Sequence, residues 1–212
     1  MFGENHQRML TTHLKGRGIR DPRVLAAFAE VDRRQYVSEK DMDRAFDDNP
    51  LPIGHKQTIS QPYIVALTVE SLKLKPTDRV LELGTGSGYE AAILAELCSE
   101  LISIERIPEL AAQASGRLAG AGYTNAAVIN ADGTLGHPDG APYDAIAVSA
   151  AAPSIPEALI DQLAPGGRLV IPIGTGFQEL IYVEKDSRNK VIRKESICDV
   201  RFVPLIGEQG FQ

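Results

Sequence analysis

The sequence predicts an α/β fold in which a mostly parallel sheet carries helices on both faces. From Arg79 onward, short apolar runs typical of strands alternate with helix-forming segments, a pattern typical of parallel sheets. The clearest unit is Val80–Tyr89, where an apolar run and an acid lead into glycines at every second position. The length of 212 residues, with 43% hydrophobic and 24% charged residues, suits one domain, residues 1–212, with its own core.

The first part of the chain, residues 1–59, is expected to hold helices and a loop that reaches the substrate. Residues 4–47 look helical and polar. Asp21 and Pro22 are the residue types that commonly occupy the N-cap and the first position of a helix. A polar loop from Asp47 to Ile59 should follow.

The core, residues 60–212, should begin with a helix over Gln61–Lys73. Ser60 stands where an N-cap belongs, and Pro62 is tolerated in a first turn. The further elements are a helix over Glu90–Leu97 and strands over Val80–Leu83, Leu101–Glu105, Ala126–Asn130, Tyr143–Ser149, Arg168–Ile173, Leu180–Lys185 and Val191–Pro204.

The last two predicted strands have no clear helix between them. Arg188 and Asn189 provide a turn at the point where they would join. We therefore expect an antiparallel hairpin at the C-terminal end of the sheet.

The loop Gly84-Thr85-Gly86-Ser87-Gly88 predicts a cofactor site at a strand-to-helix turn. Glycine lets a ligand approach the backbone closely, and the first amide groups of a helix are free to bind it. The dinucleotide pattern G-x-G-x-x-G is not met, because Tyr89 occupies its third glycine position. Glu82, two residues before the loop, adds a carboxylate. A turn without a ligand is the alternative interpretation.

Acidic residues close the next two strands. Glu105 lies where a carboxylate of a βαβ unit accepts hydrogen bonds from both ribose hydroxyls, and Arg106 and Ile107 are placed to flank an adenine. A solvated strand end is the alternative for Glu105. Asp132, followed by Gly133, suits either a bond to the adenine amino group or a turn.

Composition and spacing argue against several other classes. The net charge of −6 and the lack of a dense basic run disfavour nucleic acid as the main substrate. Cys98 and Cys198 show no metal spacing and no disulfide framework, which fits the reducing cytoplasm. The four histidines have no ligand spacing, so no metal is expected. Met1–Leu10 lacks a signal-peptide core, and no apolar run approaches the roughly 18 residues of a membrane helix.

Four sequence blocks resemble the protein-L-isoaspartate O-methyltransferase family over most of the chain. The block Gln57–Pro62 discriminates, because methyltransferases in general share the glycine loop but not this segment. The blocks are Leu51–Gly54 with Gln57–Pro62, Val80–Tyr89, Tyr143–Ile146 with Ala150–Pro153, and Pro165–Pro172 with Arg201–Leu205. The resemblance implies a Rossmann-like class I methyltransferase fold.

The resemblance also implies a reaction and its site. The methyl group of S-adenosyl-L-methionine would pass to the α-carboxyl of an L-isoaspartyl residue in damaged proteins and peptides, leaving S-adenosyl-L-homocysteine. Ser60 is the matching catalytic position, although a purely capping role stays open. The other implied site residues are Thr58, Ile59 and Val203 for the substrate, and Gln57, Thr58, Ile59, Glu82, Gly84, Thr85, Gly86, Ser87, Gly88, Glu105, Arg106, Asp132 and Gly133 for the cofactor.

Three residues depart from the family pattern. Lys56 and Ala131 stand where glycine is frequent, and Phe211 where tryptophan is frequent. The alternatives are a methyltransferase of similar fold acting on another carboxylate or on RNA, and a non-catalytic cofactor-binding interaction module. The acidic balance argues against RNA, and the retained Ser60 argues against lost catalysis. We expect a monomer that meets isoaspartyl-containing proteins and peptides.

Overall fold

The computed structural model describes residues 3–212, along which helices and strands alternate. Met1 and Phe2, which belong to the segment predicted to lack a signal-peptide core, lie outside the described residues. The α-helices are α1 (Glu4–Arg8), α2 (Pro22–Glu30), α3 (Pro62–Ser71), α4 (Tyr89–Ala95), α5 (Pro108–Gly120) and α6 (Glu157–Gln162). The strands are β1 (Leu51–Gly54), β2 (Gln57–Ile59), β3 (Arg79–Leu83), β4 (Glu100–Glu105), β5 (Ala126–Asn130), β6 (Tyr143–Val148), β7 (Leu163–Ile173), β8 (Gln178–Lys185) and β9 (Val191–Val200). Within the described range, no helix is both long and apolar enough to cross a bilayer.

The central sheet has seven strands in the order β5-β4-β3-β6-β7-β8-β9. The first five run parallel, whereas β8 is antiparallel to β7 and β9 is antiparallel to β8. The predicted fold class and the terminal hairpin are therefore confirmed, and the β7–β8 pair adds an antiparallel contact that was not predicted. The last strand ends at Val200 rather than Pro204. This order brings the carboxyl ends of β3, β4 and β6 to one edge, where ligands bind in such sheets.

Two apolar layers cover the faces of the sheet. Val80 packs into one layer, whereas Leu81 and Leu83 pack into the other, as the two-residue period of a strand requires. The N-terminal segment joins the first layer, because Met9 and Phe28 are fully buried there. The prediction that residues 4–47 are polar therefore applies only to the outer side of this segment. Its helices are short; besides α1 and α2 they are Met9–Leu14, Lys15–Arg17, Arg33–Tyr36 and Glu39–Arg44.

The prediction of a loop from Asp47 to Ile59 was wrong over most of its length. Leu51–Gly54 and Gln57–Ile59 form an antiparallel hairpin, with Leu51 paired to Ile59 and both side chains buried. Lys56 adopts the left-handed conformation at φ +58°, as does His55 at φ +50°. Lys56 therefore takes up the backbone conformation for which glycine is favoured. The two strands are too short to show a periodic pattern in the sequence.

The expected N-cap at Ser60 was also wrong. Helix α3 begins at Pro62, and its N-cap residue is Gln61, whose side chain makes no capping bond. Asp48 caps the helix instead, because its Oδ1 atom accepts a hydrogen bond from the Tyr63 amide at 3.0 Å. The other Asp48 oxygen forms an ion pair with Arg17, whose guanidinium lies 3.5 Å from the centre of the Tyr63 ring. The tertiary fold thus supplies a cap that adjacent sequence does not reveal.

Candidate active site

A cleft follows the carboxyl edge of the sheet beside the glycine loop. It contains about 590 Å³ of empty space and draws its walls from the ends of β3 and β4, the β1–β2 hairpin and the C-terminal tail. The lining residues are Gln57, Thr58, Gly84, Gly86, Ile104, Glu105, Arg106, Ile107, Gly133, Ser149, Ala150, Val203, Pro204, Leu205 and Ile206. We call this the first cleft.

The glycine loop is closely packed on two sides. Gly86 has φ +52°, and a Cβ atom there would lie 3.2 Å from the Ile53 side chain of the hairpin. Gly88 has φ +89°, and a Cβ atom there would lie 3.3 Å from Ala114 of α5. Both positions combine a conformation that L side chains rarely adopt with little space for one. The loop therefore presents its backbone to the first cleft.

Glu105 fixes the loop against the end of β4. One carboxylate oxygen accepts from the Gly86 amide and the other from the Ile107 amide, both at 2.9 Å. The side chain is buried yet lines the first cleft. Because a carboxylate has about four acceptor positions, two remain to bind a diol in the cleft.

Two further carboxylates lie buried behind the loop. Glu82 accepts a hydrogen bond from the Ser103 hydroxyl, and Glu90 accepts one from the Ser149 hydroxyl at 2.7 Å. In each residue the Oε1 atom is buried without a hydrogen-bond partner in the described chain. Burial raises the pKa of Glu90 to about 7, against the opposing effect of the Ser149 bond. Burial and then the nearby Glu90 charge raise the pKa of Glu82 well above its usual value.

A second cleft, with about 990 Å³ of empty space, adjoins the first. Thr58, Ser149 and Val203 line both clefts, whereas Ser60 lines only the second. The other lining residues are Pro50, Gln61, Ile64, Asp199, Val200, Arg201 and Phe202. The Ser60 hydroxyl makes no hydrogen bond within residues 3–212, so it is available to a ligand.

A smaller cavity lies between these clefts and the start of α4. Its walls include predicted site residues from both the hairpin and the glycine loop. The residues that line this cavity are Thr58, Ile59, Ser60, Val65, Gly84, Thr85, Gly86, Ser87, Tyr89, Glu90 and Ser149. Ile59 is buried here, so the structure brings it close to the loop as the resemblance implied.

A buried arginine holds the backbone at Ser60. Arg33 is completely buried and donates to the carbonyl oxygens of Ala45, Asn49 at 3.2 Å and Ser60 at 2.9 Å. Burial lowers the pKa of Arg33, against the charges of nearby residues. Three carbonyl groups thus surround the guanidinium and fix the segment that carries Ser60 to the N-terminal region.

Asp132 has the turn role, and its side chain bonds to other residues of the chain rather than facing the position proposed for an adenine. Its Oδ1 atom accepts from the amide and hydroxyl of Thr134 at 2.8 and 2.7 Å, and its Oδ2 atom accepts from the Glu208 amide at 2.8 Å. Although burial acts to raise it, these bonds hold the pKa of Asp132 below its usual value. Asp132 does not line the first cleft, whereas Gly133 does. Asp132 therefore anchors the tail that forms one wall of the cleft. Ala131 does not have a positive φ, so this position does not require glycine.

Ser149 is a candidate site residue that sequence reasoning missed. It follows β6 directly and lines both clefts and the smaller cavity. The signal that singled out Glu105, a polar residue at the carboxyl end of a parallel strand, applies equally to Ser149. The wall residue Ile206 was likewise not named as a cofactor contact.

The residues of the first cleft suit a nucleoside with a positively charged extension. Glu105 offers acceptors to a ribose, Ile107 and Leu205 offer apolar surface to a base, and the carboxylates behind the loop have unfilled acceptor atoms. Among residues 3–212, no group of three or more His, Cys, Asp or Glu side chains is arranged to hold a metal ion.

Comparison with known proteins agrees with this geometry. The sequence profile of the protein-L-isoaspartate(D-aspartate) O-methyltransferase family matches residues 4–210. A protein-L-isoaspartate O-methyltransferase from Marinobacter nauticus is 55% identical over 205 residues, covering 96% of this chain and 93% of the relative. One from Methanoregula boonei is 52% identical over 210 residues, covering 99% and 96%.

A solved structure gives the same result in three dimensions. It comes from Plasmodium falciparum, is assigned to the protein-L-isoaspartate O-methyltransferases and contains S-adenosyl-L-homocysteine. It matches with a TM-score of 0.83 and 30% identity, covering 96% of this chain and 99% of that one. The match spans the N-terminal region as well as the sheet. The chain belongs to the protein-L-isoaspartate O-methyltransferase family.

Proposed function

We propose that this chain transfers the methyl group of S-adenosyl-L-methionine to the α-carboxyl of L-isoaspartyl residues in damaged proteins and peptides. The resulting ester closes spontaneously to a succinimide, whose hydrolysis returns part of the material to aspartyl. One observation carries the proposal: the first and second clefts meet at Thr58 and Ser149, so a donor beside the glycine loop and a carboxylate beside Ser60 would be neighbours.

The first cleft is the proposed cofactor site. Glu105 would hold the ribose hydroxyls, Arg106 and Ile107 would flank the adenine, and Gly133 would lie beneath it. Around the methionine end we place the hairpin and loop residues Gln57, Thr58, Ile59, Glu82, Gly84, Thr85, Gly86, Ser87 and Gly88. When bound, this cofactor supplies a methyl group made electrophilic by a sulfonium. Asp132 would act indirectly, by anchoring the tail through Glu208.

The second cleft is the proposed substrate site, with Ser60 as the catalytic residue. Its unpaired hydroxyl would donate to one oxygen of the isoaspartyl carboxylate and leave the other oxygen to attack the methyl carbon. Arg33, through the Ser60 carbonyl at 2.9 Å, fixes this position. Thr58, Ile59 and Val203 would complete the wall around the side chain of the substrate.

The reaction requires no general base, because the substrate carboxylate is already ionised near neutral pH. Opposite charges meet and cancel in the transition state, so water that stabilises the separated charges slows the step. The chain therefore has to exclude water and align oxygen, carbon and sulfur in a line. Orientation of this kind contributes roughly 7–11 kcal/mol.

We also propose a cellular location, a class of partner and an oligomeric state for this function. The two free cysteines suit the reducing cytoplasm, and the net charge of −6 disfavours nucleic acid as a partner. Because one chain lines both clefts, we propose that a monomer is active. Light scattering during turnover would test this.

A pair of matched peptides tests the function. Radiolabelled methyl transfer is measured with an isoaspartyl peptide and with its aspartyl twin of otherwise identical sequence. We expect label on the isoaspartyl peptide alone, and we expect mild base to release it, because the product is an ester. Equal labelling of both peptides, or label stable to base, would contradict the proposal.

A further inference from the structure

Glu90 lies where a ligand of the glycine loop would meet it. The residue is only 8% exposed, and it lines the small cavity together with Thr58, Ser60 and Gly86. One carboxylate oxygen accepts from Ser149, and the other, Oε1, is buried without a partner in the described chain. A buried acceptor without a donor is unfavourable, so the ligand-free site is incomplete at this atom.

The surroundings of Glu90 carry negative charge without compensation. Glu82, on β3, has a second unpartnered Oε1 atom and interacts with the charge of Glu90, and the Glu105 carboxylate of β4 acts in turn on Glu82. Ser149 contributes a neutral hydroxyl after β6, and Tyr89 precedes Glu90 on α4. The guanidinium of the buried Arg33 lies 5.6 Å from the Tyr89 ring and bonds to carbonyl oxygens rather than to a carboxylate. Neither Glu82 nor Glu90 forms a salt bridge within residues 3–212.

We propose that Glu90 and Glu82 form a specificity-determining pair of carboxyl groups. The pair holds a proton in the ligand-free site and releases it to solvent when a cofactor with a positive charge binds. The inference rests on the proposed cofactor site. No covalent bond changes: one O–H bond of the pair breaks, the proton goes to water, and the sulfonium of the ligand replaces its charge.

The pair would distinguish the two forms of the cofactor. S-adenosyl-L-methionine carries a sulfonium, and S-adenosyl-L-homocysteine, left after methyl transfer, does not. Once the sulfonium is neutralised, the pair regains its proton from solvent, and the attraction that held the cofactor is lost. Glu90 thus favours the charged donor relative to its neutral product.

Calorimetry can measure this without any turnover. Each ligand is titrated into the protein at pH 7 in two buffers with different ionisation enthalpies, which gives the number of protons released. Because a carboxyl with a pKa of about 7 is half protonated at pH 7, we expect S-adenosyl-L-methionine to release about half a proton or more. S-adenosyl-L-homocysteine should release less.

The variant Glu90→Gln retains the acceptor oxygen for Ser149 and removes the charge, and Glu39→Gln, at an exposed acid, is the matched control. In Glu90→Gln the difference in proton release should become smaller, because only Glu82 of the pair remains. The affinity for S-adenosyl-L-methionine relative to S-adenosyl-L-homocysteine should fall by at least about fivefold. This is the lower limit for the interaction of two adjacent unit charges in a water-like medium. The control should behave like the parent chain.

Two results would overturn the inference. Equal proton release by the parent chain and Glu90→Gln would show that Glu90 exchanges no proton. An unchanged affinity ratio would show that it does not sense the sulfonium. If neither ligand bound the parent chain, the proposed function itself would fail, whereas normal binding without these differences would refute only the role of Glu90.

Discussion

Replacing Glu105 with glutamine tests how the first cleft holds a ribose. The two carboxylate oxygens already bind the Gly86 and Ile107 amides, each at 2.9 Å. Glutamine keeps one acceptor oxygen, but its NH₂ group must face one of these two amide donors. One backbone bond is therefore lost, and a buried donor left unsatisfied costs about 1–3 kcal/mol of stability.

The same change weakens the proposed contact with the ribose. Hydrogen bonds to charged groups contribute about 1.5–3 kcal/mol, so the dissociation constant should rise by roughly 10–150-fold. Calorimetric titration with S-adenosyl-L-homocysteine measures the affinity, and urea denaturation of the ligand-free protein measures the stability. Glu39→Gln again provides the matched loss of one exposed carboxylate.

The two measurements separate the two roles of Glu105. A fall in both stability and affinity is the expected outcome. If stability fell while the dissociation constant stayed the same, Glu105 would only hold the glycine loop against β4. The ribose site would then have to lie elsewhere in the cleft.

Three further predictions concern the neighbouring residues. Ser60→Ala should lower kcat on an isoaspartyl peptide but leave the melting temperature nearly unchanged, because Asp48 caps α3; equal activity to a Ser187→Ala control in the exposed β8–β9 turn would refute the catalytic role. Asp48→Ala should cost about 0.5–2 kcal/mol in urea denaturation, the usual effect of losing a cap, and a smaller change would refute that role. Because the folded-state pKa of Glu90, about 7, exceeds its ordinary value of 4.5, the folded protein binds the proton more tightly, and this contribution to stability falls as pH rises from about 5 to 7. Denaturation of the ligand-free protein as a function of pH should show this fall flattened in Glu90→Gln, and an identical slope would refute the assignment.

The sheet and the cofactor loop could be predicted from the sequence because their signals are local. The strand, turn and helix around Gly84–Gly88 occupy consecutive residues, and Glu105 follows from the regular spacing of a βαβ unit. Each strand predicted from Val80 onward is present, although β7 begins at Leu163 rather than Arg168. Short, largely apolar segments that alternate with helix-forming segments are thus sufficient to find the sheet.

The remaining features depend on contacts that are distant in sequence. Asp48 reaches Tyr63 across a hairpin whose strands have only four and three residues. Ser149 reaches Glu90 only because β6 lies beside β3 in the sheet. Asp132 was ambiguous for the same reason, since its partner Glu208 lies in the tail. Helix and strand patterns carry no information about such pairs.

The contribution of the C-terminal tail to the first cleft has a consequence for synthesis of the protein. The segment 203–206 forms one wall and is held through the Leu205 amide and the Ala151 carbonyl at 2.7 Å. A ribosome adds about 5–20 residues per second, so the glycine loop is translated seconds before this wall exists. A nascent chain that has formed the loop therefore still lacks a complete cofactor site. We therefore expect methylation activity only after translation has passed this segment.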